Sequence, residues 1–208
     1  MNHSAKFWDR IATRYAKQPV ADEAAYQRKL AITREYLQPH MQLLEFGCGT
    51  GSTALCHAPH VQHIHGIDLS SKMIEIAQAK AAEHNIGNVT FSQATLDELE
   101  LAEQSLDVVL GLNILHLLRD KDAAIAKVHR LLKPGGLFVS STICMGDSLM
   151  LKAIKHLVSI GALLRLLPSL DAFTRQQLVG SLTDAGFVIE QLWQPGKNKA
   201  LFIVAKKP

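Results

Sequence analysis

The chain has 208 residues, 48% of them hydrophobic and 20% charged, which suits one full-sized domain with a real core and excludes disordered, tail-like sequences. Its 22 Lys and Arg residues against 19 Asp and Glu leave a net charge of +3, far from the dense single-sign field of a dedicated nucleic-acid binder. Three cysteines, Cys48, Cys56 and Cys144, form no close-spaced pair, which fits a reducing compartment, so a cytoplasmic location is expected.

The N-terminal stretch MNHSAKFWDRIATRYAK carries charges in its first turns and lacks the apolar run of a signal peptide. Apolar positions at helical spacing predict helices from Lys6 to Lys17 and from Asp22 to Leu37, with Pro19 between them and Pro39 closing the second. Residues 1–40 are accordingly read as an N-terminal helical cap, and 41–208 as the main domain. Met41 to Phe46 is a short apolar strand that runs into the turn Gly47-Cys48-Gly49-Thr50-Gly51, which opens a helix. A second strand, His63 to Leu69, leads to Ser70, a good N-cap for the helix KMIEIAQAKAAEH.

The pattern repeats. Asn88 to Ser92 reads as a strand, a short helical stretch follows Ala94, and Leu106 to Leu112 is the next strand. Asp122 to Leu132 reads as a helix stopped by Pro134-Gly135-Gly136, and Leu137 to Ile143 as a further strand. Such alternation predicts an α/β fold with a doubly wound, mainly parallel sheet covered by helices on both faces. Near the C-terminus, Thr174 with Gln177 has capping-box spacing, and the helix it starts ends at Ala185-Gly186. Phe187 to Trp193 and Ala200 to Lys206 are strands joined by six residues, too few for a parallel crossover, so the seven-stranded sheet is expected to end in an antiparallel hairpin.

Before that hairpin lies the apolar segment Leu149–Leu170, broken by Lys152, Lys155, Arg165 and Pro168 and therefore not expected to cross a membrane. Its amphipathic part, Leu149 to Leu167, is open to three readings: a roof over a lipophilic substrate, a helix resting on a membrane surface, or the face of a homodimer. Burial in a core or interface is the simplest of them.

In open α/β sheets ligands sit outside the carboxyl ends of the strands, against the first strand-to-helix turn. Gly47, Gly49 and Gly51 occupy that turn, and Asp68 follows Gly51 by seventeen residues, placed to accept both hydroxyls of a ribose. The glycine spacing departs from the dinucleotide fingerprint, because Ser52 stands where the third glycine belongs. Glu45, two residues before the loop, would repel a pyrophosphate and suits a ligand with an ammonium and a sulfonium. A nicotinamide-dependent oxidoreductase is therefore the weaker enzymatic reading.

LLEFGCGTGS, GIDLSSKMIEIA, SLDVVLGLNILHLL, HRLLKPGGLFVS and LTDAGFVIEQLW with FIVAKKP, in that order, resemble the class I S-adenosylmethionine-dependent methyltransferases over residues 41 to 208. FWDRIATRY is similar to the N-terminal lid of the ubiquinone-biosynthesis-type, small-molecule branch. The resemblance implies a Rossmann-like domain, S-adenosyl-L-methionine as cofactor, S-adenosyl-L-homocysteine as product, and a small-molecule methyl acceptor. It places Glu45, Gly47, Cys48, Gly49 and Gly51 at the methionine end of the cofactor, Asp68 at the ribose, and Leu69 and Met73 at the adenine. It also places Ala94, Thr95 and Leu96 beside the adenine and Asn113 and Ile114 at the reactive end. Where the family commonly has an acid after the third strand this chain has Thr95, so the Thr95 hydroxyl, backbone groups and Asp97 stand as alternatives for that contact. A degenerate fold used only for binding is the non-enzymatic alternative. No NPPY-type tetrapeptide follows the fourth strand.

Other side chains carry two readings each. Tyr15 and Trp8 are either a lid over the cofactor or packing on the sheet, and Tyr26 is a weaker lid candidate. His116 is the one candidate general base, although histidine at this place recurs in the superfamily with differing chemistries. His57, His60, His63 and His65 lack a completed ligand spacing and read as surface histidines, so no metal is expected.

Overall fold

The structure is a computed structural model that describes residues 3–147 and 171–208; the Leu149–Leu167 segment, with its three readings, lies outside the described residues. By contacts the chain divides into two compact units, Met1–Glu100 with Leu106–Leu110, and Leu101–Ser105 with Gly111–Pro208.

In the first unit, α1 (His3–Lys17) buries Ala5 and Ala12 and ends on Arg14 and Lys17, favourable charges at a helix C-terminus. α2 (Glu23–Tyr36) starts at Asp22, whose side chain accepts a bond from the Ala25 N–H, a cap that contributes about 1 kcal/mol. It buries Ala25, Leu30 and Thr33. β1 (Gln42–Phe46) is buried from Leu43 onward, α3 (Ser52–His57) follows the glycine turn, and β2 (His63–Asp68) leads to α4 (Ser71–Glu83). β3 (Val89–Gln93) completes this part. Leu43, Leu44, Phe46, Ile64 and Ile67 form its centre.

β4 (Leu106–Leu112) is shared between the units. The second unit continues with α5 (Lys121–Leu131), capped by Asp120, then β5 (Leu132–Thr142), α6 (Arg175–Asp184), β6 (Val188–Trp193) and β7 (Leu201–Lys206). The Thr174–Gln177 capping box is formed at both of its bonds. Ile125, Leu132, Phe138 and Phe202 are among its fully buried side chains. Among the described residues no helix is long and apolar enough to cross a membrane.

The seven strands bond in the order β3-β2-β1-β4-β5-β7-β6. β1 pairs parallel with both β2 and β4, so the strand order reverses at β1 and a switch point lies outside its carboxyl end. The predicted antiparallel ending is present, with β7 inserted between β5 and β6 and antiparallel to both. That central place explains why Leu201 to Ala205 are all buried while Val188 on the edge strand is 53% exposed.

Two expectations are corrected. No helix follows Ala94: Thr95 accepts from the Glu98 N–H while the Glu98 carboxylate accepts from the Thr95 N–H and hydroxyl, a capping box that starts a single turn and goes no further. Pro134-Gly135-Gly136 does not stop the preceding helix either. α5 ends at Leu131, Leu132 is already extended, and the Pro-Gly-Gly segment lies inside β5. Lys207 fixes this junction by donating its ammonium to the carbonyls of His129 and Leu132, while its own backbone bonds to Gly135 and Gly136.

A third expectation falls too: His57, at the end of α3, reads in the sequence as a surface histidine but is 1% exposed, packed inside the fold, and its Nδ1 has no partner among the described residues. Burial first, then the positive fields of Arg34 and His60, pulls its pKa from 6.5 down to about 4. The folded imidazole is neutral where the unfolded one takes a proton, so the stability it contributes is present above pH 6.5 and is lost as pH falls toward 4. Urea unfolding between these limits is expected to lose stability with acid more steeply in the parent than in His57→Leu, by roughly 3 kcal/mol over the window.

Candidate functional site

Glu45 is the penultimate residue of β1 and is 3% exposed; its Oε2 has no hydrogen-bond partner among the described residues. Burial pushes its carboxyl up to about 8, the Ala54 backbone N–H opposes this, and the Asp68 charge adds to it. A buried acceptor-only group left this way is a costly feature unless a cation completes it.

The chain then turns through Gly47, Gly49 and Gly51, all at positive φ (66°, 55° and 75°). Gly51 has a second reason to be glycine, because a Cβ there would stand 2.6 Å from the Phe91 ring and 2.8 Å from Ala77. At Gly49 a Cβ would meet nothing within 4 Å among the described residues, leaving backbone that a ligand can approach closely. Lys80 braces the turn from outside, its ammonium donating to Thr50 Oγ1 at 3.0 Å and Ser52 Oγ at 3.1 Å. Cys48 faces the other way. It is 8% exposed, its Sγ lies over the position of a Gly66 Cβ, and burial holds the thiol well above its usual range, so its side chain is a plug beneath the turn.

Asp68, the last residue of β2, is oriented by backbone: Gly49 N–H donates to Oδ2 at 3.0 Å and Ser70 N–H to Oδ1 at 2.9 Å. Each oxygen keeps acceptor capacity for further donors. Burial raises its pKa, those two bonds lower it, and nearby Asp9 raises it again. Leu69 is half-buried with its carbonyl taken by the Gln93 amide, and Met73 is 2% exposed. Ala94 donates its N–H to the Asp68 carbonyl, and Leu96 is 5% exposed. The Thr95 hydroxyl donates to Glu98 and Asp97 is exposed.

Tyr15 packs edge-to-face on Trp8 with ring centroids 6.3 Å apart, and burial and then the Asp68 charge raise its hydroxyl. Tyr26 stands 3.3 Å from Thr53 Oγ1. Burial pushes it up to about 12, against the Thr53 bond, and the charges of Cys56 and Glu45 add to the rise. Tyr15 and Asp68, and separately Tyr26 and Glu45, are thus close enough to feel each other's charge.

In the second unit Asn113 is exposed at φ 56°, its N–H bonded to the Ser141 carbonyl at 2.6 Å, and Ile114 is half-buried. His116 is half-buried, with Nδ1 2.9 Å from Thr142 Oγ1. Burial lowers its pKa from 6.5, so the ring is neutral at pH 7. His63 and His65 pair with the hydroxyls of Thr90 and Ser92 on β3, and among the described residues no group of three His, Cys, Asp or Glu converges on a metal-sized point.

Sequence reasoning missed Asp9. It is the sole acid of α1, a helix otherwise charged by Lys6, Arg10, Arg14 and Lys17, and that isolation was the available signal. Its Oδ1 accepts from the Ser70 hydroxyl at 2.7 Å and from the Lys72 N–H at 3.2 Å.

The residues present fit a ligand that carries a cation toward Glu45 and a pair of hydroxyls toward Asp68. The family described as methyltransferase domain matches residues 37–186. An uncharacterized methyltransferase, YcgJ of Bacillus subtilis, is 35% identical over 98 residues, 47% of this chain and 39% of the relative. The chain spans about two-fifths to one-half of the length of the curated relatives it matches first. The crystal structure of YcgJ superposes with a TM-score of 0.72 at 19% identity, covering 87% of this chain and 98% of that one. Phosphoethanolamine N-methyltransferase 2 of Haemonchus contortus, solved in complex with S-adenosyl-L-methionine, gives a TM-score of 0.73 at 20% identity over 88% of this chain and 53% of that one. At these identities the structures establish a common fold, and the match over residues 37–186 establishes that the chain belongs to the methyltransferase-domain family.

Proposed function

We propose that the protein transfers a methyl group from S-adenosyl-L-methionine to a small, rather apolar acceptor, leaving S-adenosyl-L-homocysteine. The observation that carries this reading is the unpartnered, buried Glu45 oxygen beside a positive-φ glycine turn whose far side is closed by Asp68. A carboxylate with no internal cation suits the ammonium of a methionine moiety, and a backbone-oriented Asp68 suits a ribose diol. The same Glu45 disfavours a pyrophosphate, and with it the nicotinamide reading.

The cofactor supplies an activated methyl carbon on a positively charged sulfur. The protein's own work is positional: fixing the two ends of the ligand so that an acceptor meets the methyl carbon in line, an effect that can lower a barrier by about 7–11 kcal/mol. In this reading Gly47, Gly49 and Gly51 give backbone access, Glu45 binds the ammonium, Asp68 the ribose, and Leu69, Met73, Ala94, Thr95 and Leu96 border the adenine. The backbone of Leu96 is the better adenine partner, since the Thr95 hydroxyl already caps the following turn and the Ala94 N–H is taken by the Asp68 carbonyl. α1 and α2, residues 1–40 by our division, form a cap, with Tyr15 next to the ribose acid. Within the second unit His116 is the side chain equipped to take a proton when the acceptor must lose one, because it is neutral at pH 7 with one nitrogen already engaged. A cytoplasmic enzyme suits three cysteines that form no disulfide.

Titration calorimetry is expected to show binding of both S-adenosylmethionine and S-adenosylhomocysteine, weakened about 10- to 100-fold in Asp68→Ala. No binding of either ligand by the parent would overturn the proposal.

Glu45 gives a separate expectation. Its folded pKa is raised from 4.5 to about 8, so its contribution to stability is complete below pH 4.5 and is lost as pH rises toward 8. His57 acts in the opposite sense but only below pH 6.5. The thermal midpoint of the ligand-free protein should therefore fall between pH 6.5 and 8. Glu45→Gln should flatten that fall, and saturating S-adenosylhomocysteine should remove it in the parent alone.

A further inference from the structure

We infer that Asp9 on α1 is a positioning residue for nucleoside recognition, acting through Ser70 on Asp68. The inference rests on the cofactor reading above and extends it to a helix that contributes no direct ligand contact to that reading other than Tyr15.

Ser70 is the hub. It is fully buried, its N–H donates to Asp68 Oδ1 at 2.9 Å, and its Oγ accepts from the Met73 N–H at 3.2 Å. A serine hydroxyl has one proton to give, and here it goes to Asp9 Oδ1 at 2.7 Å. The same Asp9 oxygen takes the Lys72 N–H at 3.2 Å, so the carboxylate of α1 satisfies donors in the first turn of α4, where negative charge is also favoured by the helix dipole. The turn that Asp9 grips is the turn whose Ser70 N–H orients the ribose acid. Asp9 is close enough to raise the pKa of Asp68, and an acid on α1 serving packing alone would gain nothing from standing near a second acid. Farther along α1, Tyr15 also feels the Asp68 charge, so two separate positions of this helix face the same carboxylate.

Asp9 lies 61 residues from Ser70 in sequence, and the contact therefore joins the N-terminal helix to the ribose-binding turn directly. Holding Ser70 in one rotamer fixes the path of residues 68–70, and with it the direction in which the Asp68 oxygens point. Losing the grip leaves Asp68 with its Gly49 bond but with a less determined second one.

The test is calorimetry with S-adenosylhomocysteine on the full chain, in a double-mutant cycle. Asp9→Ala is expected to weaken binding about 10-fold. Its effect should largely vanish in an Asp68→Ala background and persist in full in a Glu45→Gln background. Asp9→Asn, which keeps an acceptor oxygen for Ser70 and Lys72, should recover affinity to within about threefold of the parent. Hydrogen exchange on the parent supplies a second readout that needs no variant: amides of α1 from Phe7 to Tyr15 should be protected when S-adenosylhomocysteine is added. Equal losses in both backgrounds would mean general destabilisation and overturn the inference, as would unchanged affinity in Asp9→Ala. If Asp9→Ala does not fold, unaltered exchange over α1 in the parent overturns it. A parent that binds no S-adenosylhomocysteine removes the cofactor reading and this inference together.

Discussion

A carboxylate buried at the end of a central strand, with one oxygen left unpartnered, sets the terms for the rest of this structure. Glu45 is there because β1 lies inside the sheet, flanked by β2 and β4, and because the helix after the glycine turn supplies the Ala54 N–H while Oε2 has no partner among the described residues. Burial, with the Asp68 charge adding to it and the Ala54 N–H opposing it, moves its pKa to about 8, so without a bound cation the protein holds it mostly protonated at pH 7. A positively charged ligand reverses that balance, since Coulomb attraction at low effective dielectric favours the ionised form. Affinity for a cation is thereby stored in the fold as a buried acid that ionises when the cation arrives, and the fold must be stable enough elsewhere to carry it.

The surroundings of Glu45 are correspondingly overdetermined. The turn after β1 is fixed by three positive-φ glycines, by a Gly51 that has no room for a Cβ against Phe91 and Ala77, and by the Lys80 ammonium across Thr50 and Ser52. Asp68 is held by two backbone N–H groups from two different segments. Ser70, which supplies one of them, is in turn held by Met73 and Asp9. Each group that the proposed function turns toward the ligand is thus supported by a second layer of bonds on rigid elements, the arrangement that would keep such a site within the tolerance its geometry demands.

Much of this could be read from the chain. The glycine cluster after an apolar run, an acid at the end of the next strand and Ser70 at a helix start each follow from local backbone requirements, and all three stand where spacing put them. Reading failed where one feature had two physical uses. Pro134-Gly135-Gly136 looks like a helix stop, yet the helix has already ended and the segment lies inside a strand whose start is fixed by Lys207, more than seventy residues away in sequence. Thr95 followed by Glu98 looks like a helix start and does make both capping bonds, but the chain turns away after one turn. Asp9 escaped for the same reason in a stronger form: its partners lie 61 and 63 residues away, and no local pattern encodes them.

Ligand class, finally, turns on one side chain more than on the fold. An open α/β sheet with a glycine turn at its switch point is compatible with phosphates, because backbone N–H groups and a helix N-terminus favour negative charge. Here the helix after the turn is only six residues long, and the strand delivers Glu45 and the neighbouring strand Asp68 to the same turn, with Asp9 nearby. Glu45 and Asp68 at the turn that opens this short helix oppose its dipole, which is equivalent to about half a unit charge. A pyrophosphate would face like charge on two sides, whereas an ammonium and a diol meet an acceptor at each end. The chain's overall charge of +3 has no bearing on this choice, because in this reading the selection is made by where the carboxyl groups stand and by the one Glu45 oxygen that has no partner among the described residues.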